Sequence, residues 1–273
     1  MTLDLYRTTW GIEEAWETLL PRLAGMGYAG IEAPLIHLQR HDPDGALLRH
    51  NGLRCIPMLF TEGDDPAAHA ASFRTQFEAA VAYAPPVVTC HSGRDRWSDA
   101  EAERYFARVL AIEADFDVPA AHETHRGRIL YNPWTTARLL DRFDGLRLCA
   151  DFSHWVCVCE RLLDGEEAIL EACAGRTAHV HARVGYAEGP QVPDPADPAF
   201  SAELEAHERW WDAVWADQKR RGVATSTLTP EFGPPPYLHT APHTGQPAAD
   251  LWSVCAWMTD RQRSRFNARY PAP

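Results

Sequence analysis

The chain has 273 residues, with 26 Lys+Arg against 38 Asp+Glu, giving a formal charge of −12. Such acidity opposes a sequence-independent grip on nucleic acid, which needs cations facing phosphates, so no nucleic-acid partner is expected. No apolar run approaches the roughly 18 residues of a membrane span, so no membrane partner is expected either. Hydrophobic residues make up 45% and charged residues 23%, the balance of a globular chain that buries its own core.

The first residues, Met1-Thr-Leu-Asp-Leu-Tyr-Arg7, lack a basic segment followed by an apolar one, so no secretory signal is read there. Seven cysteines, an odd number, are scattered through apolar segments. Reduced thiols in a cytoplasmic protein are the expectation.

Short apolar, β-branched runs alternate with amphipathic stretches along the chain. The first strand is predicted at 3–6. It leads into Tyr6-Arg-Thr-Thr-Trp10, which is no glycine-rich phosphate loop and so disfavours a doubly wound nucleotide fold. Gly27 sits in the turn before a second strand, 28–32, that ends on Glu32. The third strand is 54–59, and Asp65-Pro66 then opens a helix with a capping side chain ahead of a proline. A fourth strand, 87–90, is followed by His91 and Ser92. Next comes a capping box, Ser98 with Glu101, that starts a helix carrying Tyr105, Phe106, Val109, Leu110 and Ile112 at helical spacing.

The fifth strand, 120–122, runs into Glu123 within Ala-His-Glu-Thr-His-Arg, and Asn132-Pro133 begins another helix. Gly145 leads into the sixth strand, 146–150, followed by Asp151 and His154 in Asp-Phe-Ser-His-Trp. Cys157 and Cys159 open a helix. Without a second cysteine pair at ligand spacing they read as structural thiols. The seventh strand, 178–183, contains His179, His181 and Arg183, and a loop with three prolines spans 185–197 before Asp197-Pro198. After the eighth strand, 225–228, come Glu231 and a proline-rich stretch from Gly233. Eight strands alternating with about eight helices predict an α/β fold, a (β/α)8 TIM barrel forming a single domain over 1–273. The two proline-bearing loops lie on the face where barrel sites form, as a semi-rigid rim or as surface decoration.

In a parallel barrel every strand's C-terminal end points to one mouth. A lone histidine or glutamate at a strand end is ordinary structure. Glu123, Asp151, a seventh-strand histidine and Glu231 at four successive ends are not, because gathering that much negative charge without a cation is costly. Two glutamates, one aspartate and one histidine form a mainly oxygen site with open positions. Such a site suits Mn²⁺, Mg²⁺ or Co²⁺, with Zn²⁺ also admissible. His179, His181 and Arg183 share one face of their strand. His181, nearer the end, is the expected ligand. His179 lies a layer deeper as a structural residue, and Arg183 reaches substrate oxygens. His91, Glu32 and His154 are further candidates for substrate contact. Trp10 and Trp155 have the flat rings that stack on a sugar's C–H face.

Taken in order and spacing, these motifs resemble the xylose isomerase-like TIM-barrel superfamily, which includes sugar phosphate isomerases/epimerases and D-tagatose 3-epimerase. The resemblance runs over nearly the whole chain. It implies that Glu123 binds the metal and exchanges a proton with substrate, and that Asp151 is a ligand with His154 contacting substrate. It further implies that His181 is the third ligand, and Glu231 the fourth and the second acid/base. The family's substrate-holding arginine matches Arg183, although in the family it usually lies further from the histidine. Endonuclease IV shares the superfamily with a three-metal cluster. His91 is a candidate for one extra ligand, but the full set and a second Asp-x-His motif are missing.

The implied reaction removes a proton from carbon next to a carbonyl. A divalent cation stabilises the enediolate while two carboxylates do general acid/base work. The residues leave epimerisation, aldose–ketose isomerisation and dehydratase/lyase chemistry open, on a free sugar, a keto-acid or a glycoside. No phosphate cradle is evident. A metal-dependent hydrolase and a non-catalytic sugar-binding barrel are the competing readings, and homo-oligomerisation is left open.

Overall fold

A computed structural model describes residues 1–271. Eight parallel strands close a barrel in chain order: β1 (Thr2–Thr8), β2 (Gly30–Pro34), β3 (Arg54–Phe60), β4 (Val88–His91), β5 (Ala120–Glu123), β6 (Leu148–Ala150), β7 (Thr177–His181) and β8 (Thr225–Thr229). The ring is completed by β1 pairing with β8, Thr2 opposite Thr225. The expected barrel is therefore the observed one.

Between the strands lie α1 (Trp16–Gly25), α2 (Leu35–His41), α3 (Ala46–His50), α4 (Pro66–Val81), α5 (Asp99–Glu113), α6 (Pro133–Arg142), α7 (Phe152–Cys159), α8 (Glu167–Ala174) and α9 (Ser201–Arg220), with α10 (Leu251–Arg269) after β8. The predicted start signals act as caps. Asp65 accepts from the backbone N–H groups of Ala67 and Ala68, Asn132 accepts from Thr135, and the Ser98–Glu101 box closes in both directions. Asp197-Pro198 is the exception. It caps only the short 3-10 turn Pro198–Phe200, and α9 starts after it.

Alternation along each strand divides the core in two. Outward-facing Ile31, Leu59, Val88, Leu148, Val180 and Leu228 join the helices in one continuous apolar layer. Inward-facing Tyr6, Ile56, Val87, Ala121 and Cys149 form a separate small cluster that plugs the barrel. Between β6 and β7 the register slips: Leu148 faces Thr177, whereas Cys149 faces His179. The extra residue, Ala178, acts as a bulge that puts His179 and His181 on the same inner side as Cys149.

Among the described residues no helix is long and apolar enough to cross a membrane. All seven cysteines are free thiols, and Cys157 and Cys159 lie half-buried in α7.

Candidate metal and substrate site

The inward face of each strand carries its last residues to the barrel mouth. Glu123 ends β5 and His181 ends β7, while Asp151 follows β6 and Glu231 lies two residues past β8. One ligand atom from each of these four lies within 4.8 Å of the others, and all four residues are buried. Asp151 also caps α7, accepting at Oδ1 from the Ser153 backbone N–H at 3.0 Å.

Beneath them lies a polar layer. Glu32 accepts from His181 Nε2–H at 2.9 Å and from the Thr89 hydroxyl at 2.7 Å. This leaves His181 Nδ1 facing Glu231 Oε2 at 3.1 Å and Glu123 Oε1 at 3.6 Å. A carboxylate fixing the far nitrogen of a histidine is the usual way a metal ligand's tautomer and ring orientation are set. His179 sits deeper still, bonded to Thr227 at 2.8 Å and to Thr229 at 3.1 Å, with Glu32 Oε2 at 3.2 Å. Glu32 thus departs from the substrate contact expected of it, because β2 does not stop there. The strand pairs on through Ala33 and Pro34 with Pro57 and Met58 of β3. Glu32 is therefore mid-strand and below the mouth.

Burial alone would push the Glu123 carboxyl pKa up. The His91 and His181 rings outweigh it and hold Glu123 well below the ordinary range. Glu32 is likewise lowered, against burial, by His181 and His179. His181 is raised despite burial by Cys149, Glu231, Glu32 and Glu123 around it. Asp151 goes the other way, to about 6, because burial dominates the Arg183 charge beside it. The opposite fates of two carboxylates in one cluster mark a concentrated charge site.

Arg183 is fully buried. Its Nη2 is ion-paired with Asp151, lies 3.3 Å from Glu231 Oε2 and meets His154 Nε2 at 2.7 Å. His154 packs behind it, its ring tilted 51° to that of His125 with centroids 3.9 Å apart. Burial, then His125 and Arg183, keep His154 neutral. His91 Nε2 lies 2.7 Å from Glu123 Oε2.

Above this floor opens a cavity of about 620 Å³. Trp10, His91, Glu123, Arg183 and Glu231 line it, as do Phe60, His125, Arg128 and Tyr237. Glu32 and His154 do not line it, nor does Trp155, which is buried and donates its indole N–H to Leu130 O at 2.9 Å. The loop after β8 brings Tyr237 edge-on to Trp10, ring centroids 4.8 Å apart. That loop is tied to the proline-bearing loop after β7, where the Gln191 side chain bonds both the N–H and the carbonyl of Gly233. Gly233 admits no side chain, since a Cβ there would meet the Trp10 ring at 2.3 Å. The loop after β8 thus forms part of the cavity wall, and the loop after β7 braces it.

His125, Arg128 and Tyr237 are site residues that the sequence reading does not single out. His125 has a signal, its place two residues past Glu123 in His-Glu-Thr-His. The other two sit in aperiodic loops.

The donor set fits a divalent cation. Both Glu123 carboxylate oxygens and His181 Nδ1 are buried and make no well-aligned hydrogen bond, only close charge contacts with His91 and Glu231, and such atoms are rare unless something else engages them. Asp151 and Glu231 share their negative charge with Arg183. A second grouping, Cys149 with His179 and His181, lies lower, and burial raises the Cys149 thiol well above its ordinary value.

No curated sequence is similar enough to this chain to count as a relative. Solved structures are similar in fold at low identity. The 3-keto-D-glucoside 4-epimerase YcjR of E. coli is 12% identical with TM-score 0.61, over 96% of this chain and 100% of that one. The probable 3-DHS dehydratase AsbF of Bacillus anthracis is 14% identical with TM-score 0.60, over 85% and 93%. Endonuclease IV of Thermus thermophilus is 13% identical with TM-score 0.59, over 98% and 100%. The family described as xylose isomerase-like TIM barrel matches residues 20–191, well over half of the sequence, and the chain belongs to it.

Proposed function

We propose that the chain is a divalent-metal-dependent isomerase or epimerase acting on a small sugar or related hydroxy-carbonyl compound. The observation that carries this reading is the buried cluster of Glu123, Asp151, His181 and Glu231, with the Glu123 oxygens and His181 Nδ1 making no well-aligned hydrogen bond at the floor of a cavity. These four residues would hold one ion. When bound, the ion supplies positive charge for the oxygens of a carbonyl and its neighbouring hydroxyl.

The chain's own residues do the rest. Glu123 and Glu231 both line the cavity, one at the end of β5 and the other just past β8, three strands further round the ring. One takes the proton from the carbon next to the carbonyl, and the other returns it on the opposite face or to the adjacent carbon. Arg183 holds a substrate oxygen as negative charge develops. Trp10 and Tyr237 form an aromatic wall for a C–H face, and His91 and His125 offer ring nitrogens beside Glu123.

The test is a panel of ketoses in D₂O with Mn²⁺, Mg²⁺ or Co²⁺ added. Deuterium should enter a carbon next to the carbonyl of a true substrate. Elemental analysis should find one ion per chain, lost in Asp151→Ala. Loss of water from the substrate would redirect the reading to a dehydratase. Incision of abasic-site DNA, abolished by Glu231→Gln, would redirect it to a nuclease. Unchanged metal content in Asp151→Ala would remove the ligand assignment.

A further inference from the structure

The cavity holds a cation that the proton-transfer reading does not use. Arg128 lies in the loop after β5, and its side chain reaches across the mouth to the ends of β3 and β4. There Nη1 donates to the carbonyls of Thr61 and Gly93, each at 3.3 Å. Those bonds fix the plane of the guanidinium but use one nitrogen. Among the described residues Nε and Nη2 have no hydrogen-bond partner. Among the described residues no carboxylate lies within 4.0 Å of Arg128, in a chain with 38 acidic residues. Burial first, then the Arg94 charge, pushes the Arg128 pKa down from its ordinary value, against the opposing charge of Glu123.

A half-buried arginine with no carboxylate partner among the described residues is a cost that a ligand anion would relieve. The floor does not supply that anion. Asp151, Glu123 and Glu231 are balanced by Arg183 together with a divalent ion. Arg128 lines the same cavity of about 620 Å³ as Glu123 and Glu231, so a molecule held at those two carboxylates has room to reach it.

We infer that the substrate carries a carboxylate remote from its reacting carbonyl, and that Arg128 receives it. This inference rests on the isomerase or epimerase reading for where the other end of the substrate sits. One planar guanidinium whose unpartnered Nε–H and Nη2–H share an edge matches a carboxylate's two oxygens. A phosphate is normally cradled by several backbone N–H groups at a helix start or glycine-rich turn. Around Arg128 the backbone of Thr61 and Gly93 presents carbonyl acceptors to the guanidinium, not the N–H donors of such a cradle. Arg128 is therefore a specificity-determining residue.

Three probes that differ only at the sixth carbon test this: D-fructose, D-fructuronate and D-fructose 6-phosphate. Their affinities for the Mn²⁺-supplemented protein are measured by calorimetry. A charge-assisted pair is worth roughly tenfold to a hundredfold in affinity. D-Fructuronate should bind tighter than D-fructose by that factor. Arg128→Gln should erase the difference while D-fructose changes less than twofold, and Arg128→Lys should keep part of it. Equal binding of the two by the native chain, no binding of D-fructuronate at millimolar concentration, or a preference that survives in Arg128→Gln overturns the proposal. Stronger binding of the 6-phosphate than of D-fructuronate replaces the carboxylate by a phosphate and overturns it as stated. If Arg128→Gln does not fold, the native comparison of the three probes still decides. D-Fructuronate that binds through Arg128 but takes up no solvent deuterium would break the proton-transfer reading and leave the anion site standing.

Discussion

The lower and upper halves of the barrel interior are built from the same eight strands and have opposite chemistry. Below, Tyr6, Ile56, Val87, Ala121 and Cys149 fill the space as a small apolar plug. Two residues further along the same strands stand Thr8, Met58, Thr89, Glu123 and Asp151, and with them Glu32, His179, His181 and Glu231. Most barrels of this kind stack bulky aliphatic residues in every layer. Here the upper layers bury carboxylates, imidazoles and a guanidinium, a choice that costs stability unless each group is paired. The plug holds the fold, and the network above it holds a charge pattern.

The largest expected effect breaks the upper half at one atom pair. Glu123→Gln keeps the shape but removes basicity and charge. Turnover on a substrate found in the ketose panel should fall by about 10²- to 10⁴-fold, the range for a lost general base. The fall should persist at saturating metal, because weakened metal binding alone would be rescued there. Full activity of the variant on a true substrate would remove the proposed acid/base pair.

A histidine outside both halves, bracing the loop that backs the cavity wall, should set a pH response of its own. His207 on α9 is fully buried, donates from Nδ1 to Glu203 O at 2.8 Å and accepts at Nε2 from the Gly185 N–H at 3.2 Å. It thereby ties down the start of the loop after β7. Burial depresses its pKa to about 4. The unfolded chain binds this proton near the ordinary histidine value of about 6.5, so the neutral ring's contribution is full above that value and is lost as pH falls toward 4. Urea titrations from pH 7 to pH 4 should show the native protein losing on the order of 3 kcal/mol more than His207→Gln. Parallel pH profiles would show that the neutral ring carries no such weight.

Glu32 sharpens the contrast because it touches neither cavity nor any proposed ion. Its replacement by Gln leaves a neutral amide facing His181 and His179 and frees the His181 ring to change tautomer. Metal affinity should drop about 10- to 100-fold, the usual cost of losing a carboxylate behind a histidine ligand. Isothermal titration with Mn²⁺ measures it. An unchanged affinity would mean that His181 is oriented by packing alone.

This residue also shows where sequence reading ends. Glu123, Asp151, His181 and Glu231 are legible because short, mostly apolar runs stop at or just before them and a parallel barrel sends all such ends to one mouth. Glu32 looks like a fifth member of the same set, since the run 28–32 ends on it. Ala33 and Pro34 carry no β-branched signal, yet they continue the strand, and two residues of extra pairing lower Glu32 by one layer. His154 follows Asp151 at helical spacing but turns behind Arg183 instead of lining the cavity. The early arginine explains this: Arg183, only two residues past His181, lies on the same strand face and fills the space among Asp151, Glu231 and His154. Arg128 and Tyr237 come from loops whose paths depend on long-range packing, and a single sequence carries little of that.

The smallest effect should come from the plug. Ile56 is fully buried in the apolar cluster, and its Cα faces Glu32 across the β2–β3 ladder. Ile56→Val removes one methylene below the site without touching a polar group. The loss should be about 1 kcal/mol of stability, the typical cost of that deletion, read from the midpoint of a urea titration at unchanged slope. Metal affinity and turnover should stay within about twofold of the native values, because the deleted methylene removes no ligand and no hydrogen bond of the polar layer. Those two readouts separate the plug from the network. If a methylene lost from the plug lowers metal affinity as much as Glu32→Gln does, the two halves are one cooperative unit, and the polar layer is positioned by the packing beneath it rather than by its own hydrogen bonds.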